Sequence, residues 1–133
     1  MCRKIMKKLL LTITLLLLSI KAFAHDMVPT YPELRPSYLE GVLVTDLELF
    51  NKRNDVDYYE ITVFDEYWNP VPFVTSYKIL KLSYLDRIKF SVYIRSKDKD
   101  RATYICTKSR LRGEVGPSTV ISSMICSKIK KDF

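Results

Sequence analysis

Hydrophobic and polar residues alternate along much of this chain with a period of two, the pattern of strands that bury one face and wet the other. The stretch Gly41–Phe73 carries the pattern twice. Leu43, Leu47 and Leu49 share one face opposite Asp46 and Glu48, and Tyr59, Ile61 and Val63 then alternate with Glu60 and Thr62. Between them Asn51-Lys-Arg-Asn-Asp55 has turn chemistry, so the spacing predicts a hairpin. Trp68-Asn-Pro-Val-Pro-Phe73 follows as a corner, with Trp68 and Phe73 expected to cap the core. A two-stranded hairpin is marginal alone, so a second layer must pack on it.

The rest of the chain supplies that layer. Arg87–Arg95 is the clearest strand, with Ile88, Phe90, Val92 and Ile94 pointing in and Arg87, Lys89, Ser91, Tyr93 and Arg95 pointing out. Tyr77–Leu82 reads as a short strand, and Arg101–Thr107 as another with Ala102, Tyr104 and Cys106 on one face. Pro29, Pro32 and Pro36 keep residues 28–36 extended, and an edge strand is expected from about Leu34. Ser96–Asp100 is a charged turn, and Arg110–Ser118, with Gly113, Gly116 and Pro117, is a loop. The last element, Ser118–Ile129, fits a strand through Val120, Ser122, Met124 and Cys126, and a helix through Ile121, Ile125 and Ile129. Its β-branched content favours the strand. Seven short strands separated by turns predict an all-β fold, an immunoglobulin-like seven-stranded antiparallel β-sandwich.

The first residues lie outside that pattern. Arg3, Lys4, Lys7 and Lys8 precede an apolar run, Leu9–Ile20, that is shorter than the roughly 20 residues a membrane span needs. Ala22-Phe23-Ala24 then offers small residues where a signal peptidase reads. Residues 1–24 are expected to be a signal peptide and residues 25–133 a single domain, exported to a periplasm or secreted, with no membrane span once the leader is removed. Cys2 precedes the apolar run and so is not placed to carry a lipid.

Removing the leader changes the charge. The whole chain is formally +7, but five of its 22 basic residues and none of its 15 acidic ones lie before residue 25, leaving +2. Charges of both signs are interspersed along the strands, as on an ordinary solvated surface. Nucleic acid is therefore not an expected partner. Of three cysteines, Cys106 and Cys126 survive processing, and an even count in an exported protein favours a disulfide between them. Closing a loop of that length stabilises by about 3 kcal/mol through loop entropy.

Catalytic chemistry is not legible. His25 is the only histidine and would head the processed chain; its amine and ring, with Met27, could hold copper, but a frayed polar terminus is the plainer reading. The serines show no nucleophile-elbow pattern, three glycines form no phosphate loop, and no Cys-x-x-Cys occurs. The carboxylate pairs Asp55/Asp57 and Asp65/Glu66 sit at a turn and a strand end. A non-enzymatic protein without metal or cofactor is expected.

Two resemblances point to the same architecture. Asp100-x-Ala102-x-Tyr104-x-Cys106 resembles the sixth strand of immunoglobulin domains, although Leu43–Phe50 holds no cysteine to complete that family's bridge. Leu34–Gly41, then Leu47–Asn51, resembles the opening of periplasmic pilus-assembly chaperones. Tyr59–Asp65, Pro72-Phe73, Ile79–Leu82, Ile88–Ile94 and Asp100-Arg101 follow in a similar order. That resemblance implies that Arg35 grips the C-terminal carboxylate of a client protein, with Lys128 or Lys130 as the lysine partner. It also implies that the edge of the last strand pairs with a client strand, and Cys106–Cys126 matches a disulfide carried by some members. The expected function is a pilus-chaperone-like domain binding a protein partner at a sheet edge. The alternative is an accessory envelope or virion-associated domain without chaperone activity.

Overall fold

A computed structural model describes residues 1–17, 24–110 and 122–131. Residues Cys2–Leu17 form a helix, α1, none of whose side chains is buried. Among the described residues no helix is long and apolar enough to cross a membrane. Everything else of regular structure is β, apart from one turn of 3-10 helix at Ser96–Asp98. The strands are β1 (Asp26–Val28), β2 (Arg35–Pro36), β3 (Val42–Phe50), β4 (Tyr58–Phe64), β5 (Ile79–Lys81), β6 (Arg87–Arg95), β7 (Tyr104–Arg110) and β8 (Met124–Lys128). They form two antiparallel four-stranded sheets. In one, β3 pairs with β6 along one side and with β1 and β2 along the other; the second runs β5-β4-β7-β8.

The alternation seen in the sequence sets which faces meet. Tyr59, Ile61 and Val63 of β4 are buried and their neighbours half-buried; Phe90, Val92 and Ile94 of β6 are buried likewise. Leu47 and Leu49 of β3 join them, and Ile105, Leu80, Leu82, Val56, Val71 and Ile129 complete one core between the sheets. Each such side chain contributes about 1.5–3 kcal/mol by leaving water.

The predicted hairpin does not form. β3 pairs with β6 over nine residues, from Val42↔Arg95 to Phe50↔Arg87, while β4 lies in the other sheet between β5 and β7. Residues 51–57 therefore cross from sheet to sheet, a gap of about 10 Å. Asn51 and Arg53, polar enough to suggest a surface turn, are buried there. Every polar group of Asn51 is used. Its N–H donates to the Asp86 carbonyl (3.0 Å) and its carbonyl accepts from Leu85 N–H (2.7 Å). The side-chain amide donates to the Val56 and Leu82 carbonyls (2.8 and 2.9 Å). Its Oδ1 accepts from Arg53 N–H (2.9 Å) and from the Tyr59 hydroxyl (2.5 Å). Burial pushes the Tyr59 phenol up to about 12, so it stays a donor at any working pH.

The amino-terminal segment ties the sheets a second time. β1 and β2 pair with successive parts of the same side of β3. Between them the chain swings across to β8, where the Thr30 and Pro32 carbonyls accept from Lys128 and Lys130 N–H (3.0 and 2.9 Å) and the Pro29 carbonyl from Ser127 Oγ (2.8 Å). Cys106 and Cys126 are directly opposed on β7 and β8 and form a disulfide, with Cα atoms 4.0 Å apart. The strand expected at the carboxyl end is present as β8; its first residues and most of the 110–118 loop lie outside the described residues.

Two aromatic expectations divide. Phe73 packs against the core, whereas Trp68 is half exposed and lies on the outer face of the second sheet. Its ring stacks flat on Tyr104, with centroids 4.6 Å apart and planes at 4°, and meets Phe64 edge-on. Tyr104 is thus a stacking partner.

Because the Asn51 side chain, at the end of β3, satisfies two carbonyls beside β4 and β5, Asn51→Ala should destabilise by about 3 kcal/mol or more, leaving the Val56 and Leu82 carbonyls unpaired. Tyr59→Phe, which removes one bond and exposes nothing, should cost about 1–2 kcal/mol. Urea denaturation followed by circular dichroism measures both.

Candidate functional site

The residues proposed to grip a carboxylate are placed on different partners. Arg35, on β2, donates to Asp46 of β3, which also accepts from Ser91 Oγ of β6. Those two bonds, Ser91 first and then Arg35, hold the Asp46 carboxyl below the usual range. Lys130 Nζ donates to Glu33 Oε1 (2.7 Å), and that hydrogen bond depresses Glu33. Lys128 lies opposite Tyr104 on the outer face of the second sheet. Arg35 and Lys130 thus bond different carboxylates. The side of β8 away from β7 is occupied at Lys128 and Lys130 by Thr30 and Pro32, which leaves only its Met124–Cys126 portion for another chain.

A different feature gathers exposed apolar groups. Where β2 leads into β3, Ser37 N–H bonds the Val42 carbonyl (3.0 Å) and Ser37 Oγ accepts from Leu39 N–H (3.1 Å). Gly41 adopts φ 75°, a conformation that a side chain would strain. This tight reversal holds Tyr38 and Leu39 outward. Facing them, Val74 pairs through two backbone bonds with Tyr93 of β6 (2.9 and 2.8 Å). Tyr38 and Tyr93 meet edge to face at 6.5 Å. The result is a recess of about 320 Å³ between Tyr38, Leu39, Val42, Phe73, Val74 and Tyr93, with Arg95 at its rim. Tyr38 is 85% exposed, Val74 67% and Leu39 50%.

Charge sits around this apolar floor without filling it. Arg95 pairs with Asp98 (2.8 Å), which Arg95 and Arg101 hold ionised against the opposing effect of burial. Lys78 lies 5.4 Å from the centre of the Phe73 ring. Beyond the Val74–Tyr93 bridge, no strand among the described residues pairs with the outer edge of β6. Sequence reading missed the recess because Tyr38-Leu39 and Val74 flank strands, outside any period. The available signal was apolar residues crowded beside Gly41 and beside Pro70 and Pro72.

His25 is not at a frayed end. It is fully buried, with its ring 4.5 Å from that of Tyr59. Nε2 lies 3.0 Å from both the Thr107 carbonyl and its hydroxyl, and Nδ1 lies 3.2 Å from Ser123 Oγ. A carbonyl only accepts, so Nε2 carries the proton and Nδ1 receives the serine hydroxyl. Both ring nitrogens that could bind a metal are thereby occupied, and among the described residues no group of three metal-ligating side chains occurs. The Ser123–His25 pair has the contact distance of a nucleophile and its base. However, Ser123 also accepts from Arg53 Nη1 (3.3 Å), and neither residue lines the recess. The pair hydrogen-bonds a buried junction of β7, the residues leading into β8 and the segment leading into β1.

That junction makes stability pH-dependent. Burial, aided by the Arg53 charge, holds His25 below its ordinary value in spite of the Thr107 bond. The unfolded chain then binds the extra proton more readily than the fold, so stability is full above about pH 6.5 and falls as pH drops below it. Between pH 7.5 and 5.5 the urea midpoint of the protein should fall more steeply than that of His25→Gln. Parallel slopes would place the titration elsewhere.

Compared with known protein families and with characterised proteins, the chain matches no family and no individual protein.

Proposed function

We propose that this is an exported, non-enzymatic domain of immunoglobulin-like topology that binds another protein through the Tyr38–Leu39–Val74 recess and the neighbouring free edge of β6. The observation that carries the reading is the exposure of these three apolar side chains around one concavity. Water covers them at an unfavourable cost of about 25 cal/mol per Å², and an apolar recess with a few polar groups at its rim is the usual form of a binding site. An extended segment laid along β6 would gain backbone hydrogen bonds while one of its side chains enters the recess.

Other features support export and the topology. The basic and apolar start followed by Ala22-Phe23-Ala24 has the organisation of a cleaved leader, and a disulfide suits an oxidising compartment. The face-to-face arrangement of β1/β2-β3-β6 and β5-β4-β7-β8 agrees with an immunoglobulin-like sandwich. The pilus-chaperone likeness enters at Arg35: a client carboxylate would have to exchange with Asp46 for its guanidinium. The partner strand is placed at β6 rather than β8, whose edge is partly taken.

Selection from a displayed peptide library tests the reading. Ligands with a large apolar side chain should be enriched, and Leu39→Asp should weaken them at least about tenfold, equivalent to 1.4 kcal/mol. Arg35→Ala should weaken only ligands that end in a free carboxylate. Selection of nothing, or of ligands indifferent to Leu39→Asp, would leave the domain as a spacer or decoration within a larger assembly.

A further inference from the structure

The outer face of the second sheet carries a separate arrangement. Phe64, Tyr104 and Lys128 are cross-strand neighbours on β4, β7 and β8. Trp68 lies flat on Tyr104 and edge-on to Phe64, yet remains half exposed, so its far face meets water. The chain builds a specific turn to hold it there. Asp65 Oδ1 accepts from Tyr67 and Asn69 N–H (2.9 and 2.8 Å), and Oδ2 accepts from the Asn69 side chain (3.3 Å). Trp68 itself sits at φ 65°, a strained conformation for a bulky residue.

Beside this platform is a cleft of about 620 Å³, lined by Tyr104 and by Tyr67, the residue preceding Trp68. Its charged residues balance, Arg101, Lys128 and Lys131 against Asp65, Glu66 and Asp100. Asp65 serves its own turn, Arg101 pairs with Asp98 and Lys131 donates to backbone carbonyls, so Lys128, Glu66 and Asp100 are the groups presented to a ligand. A balanced wall gives no net attraction to phosphate or sulfate, but it offers donors and acceptors side by side. Hydroxyl groups need both. The negative face of an indole in turn favours the slightly positive C–H face of a saturated ring.

We propose that Trp68, Tyr104 and this cleft form a binding site for a neutral saccharide, one sugar ring stacking on the exposed face of Trp68 with its hydroxyls directed to Lys128 and Asp100. The site lies on the opposite sheet from the Tyr38–Leu39–Val74 recess and does not depend on it. A domain so built would hold a protein partner on one side and a glycan on the other.

Trp68 is the only tryptophan in the chain, so tryptophan emission, excited selectively over the tyrosines, reads this site alone. Titration of the purified protein with cello-, chito- and galacto-oligosaccharides should shift the emission and shield the indole from iodide quenching for at least one series. Lys128→Ala, which keeps the reporter, should weaken that ligand about three- to tenfold. Trp68→Ala, confirmed folded by circular dichroism, should lose binding by calorimetry. No shift and no shielding with any neutral series would overturn the proposal. So would a response confined to acidic sugars, nucleotides or peptides, or binding that survives Trp68→Ala.

Discussion

One buried amide holds the two sheets of this protein in register. Asn51 ends β3, opens the crossing to β4, and takes hydrogen bonds from or gives them to Asp86, Leu85, Val56, Leu82, Arg53 and Tyr59. A polar side chain in that position is tolerable only because each of its groups is satisfied; a partial set would cost more than an apolar residue. With the tie complete, the inner faces of β3 and β6 can close on those of β4 and β7. Loss of the tie would leave the Val56 and Leu82 carbonyls, which flank β4 and β5 of the second sheet, unpaired in the same small volume.

The other junctions repeat the logic at the edges. His25 is drawn into the fold by Thr107 and Ser123, and the segment after it passes from β3 to β8, so residues 25–32 seal one side of the sandwich. The Cys106–Cys126 bridge pins β8 to β7. These constraints leave two surfaces with something to offer. One is the apolar recess that the Gly41 reversal and the Val74–Tyr93 bridge create on the first sheet. The other is the Trp68 platform that the Asp65 turn erects on the second. Both are made by short irregular segments held by rigid strands, where binding groups are usually carried.

The strands and their facing were legible because alternation survives in the sequence: Phe90, Val92 and Ile94, and Tyr59, Ile61 and Val63, are buried at the positions the pattern indicates, with Ile88 half-buried. Partnering was not. Asn51–Asp55 has the composition of an exposed turn, and only the positions of Val56, Leu82 and Tyr59 reveal that it crosses the core. The cysteine pair was read from its count, and the opposed register of β7 and β8 accounts for it. The corner at Trp68–Phe73 suggests that Trp68 caps the core; the stacked Tyr104 beneath it, 36 positions later, is invisible to local pattern. Arg35 bonds Asp46 and Lys130 bonds Glu33, intrachain partners that no alternation in the sequence indicates.

Whether a partner protein occupies the recess is read directly by a photoreactive amino acid placed at Val74, and separately at Lys108 on the outer face of the other sheet, in cells that produce the protein. Protein binding at the recess predicts one dominant adduct from Val74 that is absent from Lys108 and is lost when Leu39 is changed to Asp. Adducts of equal yield from both positions, or none from Val74, would contradict it.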